Sequence, residues 1–464
     1  MRTRFLVVVA VLALAAACGG GSVSPGALSP AASPSPQPAT AQAPTPAPDT
    51  AAPRRVTFAP GQTVVAPAEA GIFFLDPKTG ATEGWVVPDA GPGALAFTVG
   101  GMSASGNSVL YSCQEYQAIA PARPCAGSGS VTWYLLDTST GARARLDRFQ
   151  GSFISISPDG RTIIGNTAQG VAMAATASPD AVRLIDQGRG ARGVASAAYW
   201  SPGSDRVVLV LDLATPRPPT PTPVRSLLLD GAGRIVRDLG TVWDLAWSPD
   251  GSRFAEEHGA GSYDLNHTLT MFDRDGGVLW THRPVYSRGG NPQWSPDSRS
   301  LAFQALSTPR YSISEIRLDV LDAASGATRF RIPGAFACSG PVWTADGSRL
   351  VVDGPGPGGS VVADPATRTF RTLSAYVTPD ATNPNLGITW GGDFGLVDLN
   401  TGRRTLLSHT TLDPSWDPAH GLPLFAGGRI VYTPHHGAHG GCGESIGPGP
   451  TPKLAFQYPP FAGG

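Results

Sequence analysis

Four stretches of this 464-residue chain carry residue types that do chemistry. Gly443-Glu444-Ser445-Ile446-Gly447 spells G-x-S-x-G, in which a Ser on a strained strand-to-helix elbow becomes a nucleophile. Only 17 residues follow Gly447, and Gly and Pro crowd both flanks, so the strand and helix that the elbow requires have no room. Just upstream, His435, His436, His439 and Cys442 are donors that suit a transition metal. Their spacing fits no standard zinc signature, and the simpler reading is a solvated Gly-rich loop with Cys442 in a disulfide. Asp273-Arg274-Asp275-Gly276-Gly277 offers carboxylates to calcium but lacks the further acidic positions and the closing Glu of a calcium loop, so it reads as a hairpin turn. The fourth stretch, EEHGAGSYDLNH (256–267), gathers Glu256, His258, Tyr263, Asp264 and His267. Recognition concentrates on loops held by a rigid scaffold, so these residues are read as a partner-binding loop. No metal, no cofactor and no catalytic residue is expected, and the chain is expected not to be an enzyme.

The elements that would position these residues are announced by a repeat. AWSPDGSRFAE (246–256) returns as ISISPDGRTIIG (154–165), AYWSPGSDRVVLV (198–210), PQWSPDSRSLAF (292–303) and PVWTADGSRLVV (341–352). An apolar strand ends, Ser-Pro-Asp-Gly supplies a tight turn, and a second strand begins. Pro presets φ for the turn, Asp accepts nearby backbone N–H groups, and Gly tolerates positive φ. A second corner follows in each unit: FFLDPKTGATEGW (73–85), YLLDTSTGARARL (134–146), DVLDAASGATRFRI (319–332) and GLVDLNTGRRTLL (395–407). Each unit therefore holds two hairpins and four strands.

The first-corner Ser or Thr at 157, 201, 248, 295 and 344 are spaced 44, 47, 47 and 49 residues apart. Four short strands at a period in the forties are the mark of β-propeller blades, which must pack on neighbours to bury both faces. Ile156, Trp200, Trp247, Trp294 and Trp343, each just before a corner, are expected to fill the space between blades. The fold expected is an all-β propeller of four-stranded blades, eight favoured and seven the alternative. Its first piece, IFFLDPKTGATEGWVV, is a second hairpin and its last, LPLFAGGRIVYT, a lone first hairpin; paired, they close the ring from both chain ends.

The W-S-P-D-G repeats with their V-L-D-x-x-[ST]-G hairpins resemble the TolB-like, WD-repeat-like propellers of the bacterial envelope over roughly 63–433. The resemblance implies a binding role toward a protein partner across the mouth of a central channel. A narrower likeness touches Asp76, Gly80 and Trp85, which resemble the tryptophan-docking repeat of eight-bladed quinoprotein dehydrogenases. Trp85 falls one residue late, and the equivalent hairpins end in Leu146, Ile332 and Leu407; the alternative to a binding role is a propeller enzyme or small-ligand binder with a site at the channel mouth, quinoprotein-like for example.

The N-terminus reads as an export signal. Arg2 and Arg4 precede an apolar run from Phe5, and Ala15-Ala16-Ala17-Cys18 resembles a bacterial lipobox with Leu14 displaced by one position. Residues 1–17 are read as a lipoprotein signal peptide and Cys18 as the lipidated residue, which would hold the chain to the outer side of the cytoplasmic membrane or in the periplasm. Residues 18–55 form the tether: Ser22 to Pro53 contains nine prolines and one charged residue, a composition that favours extended chain with a reach of ~100 Å. The propeller spans 56–440 and a Gly/Pro-rich tail 441–464. In an oxidising compartment Cys113 and Cys125, which flank a Pro-containing insertion, are expected to pair, leaving Cys338 and Cys442 as the second pair. A net charge of −1 with scattered basic residues excludes nucleic acid as partner.

Overall fold

A computed structural model describes residues 53–58, 71–75, 82–86, 95–115, 131–151, 153–185, 193–213, 224–242, 244–258, 267–285, 292–306, 316–333, 341–353, 359–380, 383–390, 394–408, 424–426 and 429–432. Every regular element among them is a β-strand. In chain order the strands are β1 (Arg54–Phe58), β2 (Gly71–Leu75) and β3 (Thr82–Val86); β4 (Leu95–Met102), β5 (Ser108–Glu115), β6 (Thr132–Asp137) and β7 (Arg143–Arg145); β8 (Ile154–Ile156), β9 (Thr162–Thr167), β10 (Gly170–Ala175) and β11 (Ser178–Leu184). Next come β12 (Gly193–Trp200), β13 (Arg206–Leu213), β14 (Val224–Asp230) and β15 (Ile235–Gly240); β16 (Asp244–Trp247), β17 (Arg253–His258), β18 (His267–Asp273) and β19 (Val278–Val285). They are followed by β20 (Gln293–Trp294), β21 (Ser300–Leu306), β22 (Ile316–Asp322) and β23 (Thr328–Pro333); β24 (Val342–Trp343), β25 (Leu350–Asp353), β26 (Ser360–Asp364) and β27 (Thr369–Thr372). Last are β28 (Tyr376–Pro379), β29 (Leu386–Trp390), β30 (Phe394–Asp398) and β31 (Arg404–Ser408), then β32 (Leu424–Ala426) and β33 (Arg429–Tyr432).

Among the described residues, seven sheets are four-stranded antiparallel meanders, and one more runs β1-β3-β2-β33-β32. The last therefore joins both ends of the chain, as the order of sequence pieces required, with Phe73 facing Tyr432 and Leu75 facing Ile430. The fold is a β-propeller. One strand went unforeseen: β1 adds a fifth member outside β3, and it starts at Arg54, ahead of the expected start at 56.

Alternation explains why these strands are apolar at nearly every position. Phe254 of β17 packs with Val208, Leu228 and Trp247 toward one neighbouring sheet, while Ala255 packs with Met271, Trp294 and Phe303 toward the other. Successive side chains on a strand point to opposite faces, so a sheet covered on both sides needs apolar residues at both parities.

The Trp before each corner does more than fill space. Its indole Nε1 donates to the inner strand of the preceding sheet: Trp247 to Tyr199 O at 2.9 Å, Trp294 to Ala246 O at 2.9 Å and Trp343 to Gln293 O at 3.1 Å. Trp200 donates instead to the Ser155 hydroxyl at 3.1 Å. One residue type thus buries apolar area between sheets and fixes their register.

Candidate functional site

The residues repeated most often are consumed by the corners they build. Ser248 Oγ accepts the Arg253 N–H at 3.0 Å and donates to Asp250 Oδ1 at 2.6 Å. Ser157, Ser295 and Thr344 repeat the same pair of bonds. The weaker corner at Ser103 to Ser108 shares the accepting half, with Ser108 N–H donating to Ser103 Oγ at 3.0 Å. At the second corners an Asp carboxylate accepts successive backbone N–H groups, as Asp322 does from Ala324 and Ser325. The Ser325 hydroxyl and the Arg329 guanidinium pull Asp322 down to about 2. Backbone N–H groups of Thr401 and Asn400 hold Asp398 low. Burial alone would raise Asp137, Asp230 and Asp364, and the combined donors of each turn outweigh it.

Bonds between sheets place the first corners together at one end. Ala104 N–H donates to Pro158 O, Asp159 N–H to Ser204 Oγ and Asp250 N–H to Ser298 Oγ. Second corners join them: Arg206 reaches Asp275 at 3.0 Å, Arg274 pairs with Asp205, and Arg349 reaches Asn400 at 2.7 Å. Asp273 Oδ1 accepts the Asp275 and Gly277 N–H groups, so DRDGG is a hairpin turn. Among the described residues no group of three or more His, Cys, Asp or Glu is placed to hold a metal.

In an antiparallel meander, strands that share a corner at one end must make their remaining connections at the other. The long connections 116–130, 214–223, 259–266 and 307–315 therefore leave from the end opposite the corners, as do the links between consecutive sheets. The described ends of the closing sheet face this end as well: Arg54 pairs with Val86 and Tyr432 with Phe73, positions at the corner-distal side of β3 and near that of β2.

The recognition residues expected at 256–267 divide. Glu256 is a β17 residue opposite Leu245 and Thr270, and at 3% exposure it is buried, not displayed on a loop. His258 is the last residue of β17, paired with Thr268, and His267 the first of β18, paired with Val285. Tyr263 and Asp264 lie outside the described residues. The connection itself is thus 259–266, shorter than the sequence suggested.

Glu256 has company that sequence reasoning missed. Leu245, directly opposite it, belongs to the apolar cluster filling the gap between the β12–β15 and β16–β19 sheets. Asp212 of β13 is directly opposite Val224, a member of the same cluster, so the two acids stand on the two walls of one gap. A bulge between Ala195 and Ala197 inserts Ser196, whose hydroxyl donates to Asp212 Oδ1 at 2.9 Å. Asn166 of the adjoining sheet clamps the strand beside it, giving Nδ2 to Ala195 O and taking the Ala195 N–H at 2.8 Å. Val194, opposite Asp212, is 56% exposed. An apolar side chain with hydroxyl and carboxylate acceptors at the loop-bearing lip can receive the N–H groups of a polypeptide.

Other expectations fall elsewhere. Trp85 lies on β3, buried, with Nε1 on Thr138 O at 2.9 Å, and a Cβ on Gly141 would collide with its ring. Trp280 docks likewise, through Ala323 O at 3.1 Å against Gly326. Docking of an outer-strand Trp on the next corner is real here despite the displaced spacing; Asp76 and Gly80 lie outside the described residues. Cys113 is on β5 opposite Phe97 and Thr132. Cys18, Cys125, Cys338, Cys442, the histidines at 435, 436 and 439, and the GESIG stretch lie outside the described residues. No helix among the described residues is long and apolar enough to cross a membrane.

No family model matches the chain. Over 117 residues it is 32% identical to a protein of Bacillus subtilis (strain 168) named "Uncharacterized peptidase YuxL", a match covering 24% of this chain and 17% of that protein. The chain thus spans about a sixth of that relative's length. Similar solved structures include TolB from Acinetobacter baumannii, with a TM-score of 0.31 and 16% identity over 57% of this chain and 64% of that one. A puromycin-hydrolyzing peptidase of Mycobacterium tuberculosis gives a TM-score of 0.38 and 17% identity over 68% of this chain and 53% of that one. The name of the Bacillus subtilis relative corrects one expectation: with a protein named as a peptidase matching part of the chain, the expectation that the chain is not an enzyme does not stand.

Proposed function

We propose that the chain is an exported propeller, lipid-anchored through Cys18, whose loop-bearing end recognises a polypeptide. The observation that supports this most is the division of labour between the two ends. Corner Ser, Asp and Arg side chains are spent on tying sheets together at one end, while the long connections leave from the other. Loops on a rigid scaffold are where recognition concentrates. The peptidase name of the relative, which this chain matches over only part of its length, agrees with a polypeptide ligand.

Chemical cross-linking of the lipidated protein in its native membrane, followed by affinity capture and mass spectrometry, tests the reading. The expected result is one polypeptide recovered in proportion and lost when 259–266 is shortened to a tight turn. A polypeptide recovered intact marks a binding module, and recovery as fragments with new termini marks a peptidase. Capture that is indifferent to shortening every long connection sinks the proposal. Cys18→Ser is expected to move the protein from the membrane to the soluble fraction, and retention in the membrane would overturn the anchor.

A further inference from the structure

We draw no further inference here: the strongest candidate, the surface patch of exposed aliphatic side chains at the corner-end starts of the outer strands β15 (Ile235 and Val236) and β19 (Val278 and Leu279), carries nothing, because nothing in the structure shows what covers it.

Discussion

Ser298 shows how one residue can carry both strain and its compensation. Its φ is +59°, where the first corners at 160, 251 and 347 have Gly, and its hydroxyl accepts the Asp250 N–H of the preceding sheet at 3.1 Å. Ser204, at φ +61°, does the same for Asp159. Ser298→Ala keeps the strained backbone and loses the bond, whereas Ser298→Gly loses the bond but relieves the strain. Urea unfolding should place the Ala variant about 1 kcal/mol below the Gly variant; the reverse order would contradict the compensation. Arg368, at φ +58° in the second corner of the β24–β27 sheet, has no such role among the bonds described, and Arg368→Gly should raise stability by about 0.5–1 kcal/mol. Asp322 makes a pH prediction. Its carboxyl is lowered to about 2 from 3.8, so its contribution is complete above pH ~4 and fades as pH falls toward 2. Asp322→Asn should flatten the loss of stability over that interval, and an unchanged acid slope would remove this carboxylate from the account.

At the scale of elements, the sheets are joined by repeated devices: Trp to the preceding inner strand, corner to corner, and outer-strand Trp or Arg to the next second corner. Trp294→Phe keeps most of the buried area but leaves Ala246 O without its indole donor, and should cost about 1–2 kcal/mol in chemical unfolding. Trp294→Ala should cost about 3–5 kcal/mol. A Phe variant as damaging as the Ala variant would assign the Trp's role to that one bond. These elements were legible in the sequence because their causes are local. A Ser-Pro-Asp-Gly turn and the apolar strands beside it are read within a dozen residues, and the Trp stands next to the turn it serves. β1 was not legible: RRVTF has neither repeat signature nor turn signal, and its pairing partner β3 lies about 28 residues away in sequence.

For the whole molecule, the order of half-units at the two chain ends was enough to deduce the closing sheet, because a ring must pair what the ends leave over. The candidate site was legible only in part. Glu256 was singled out for its type and its place in an insertion, yet it is a buried strand residue. Ser196 and Asp212 belong to another sheet, which faces the sheet of Glu256 across one apolar gap, a neighbourhood that no spacing in the sequence encodes. The contrast between a corner end tied shut and a loop-bearing end open to a polypeptide is the central claim. Photo-cross-linking in the native membrane tests it directly, with the reactive group placed at Val194 on the loop-bearing lip and, separately, at Ser252 and Ser325, which are exposed on the corners. The prediction is a discrete adduct from Val194 and none from either corner. Adducts from the corner positions with none from Val194 would place recognition on the wrong end of the propeller and contradict the account.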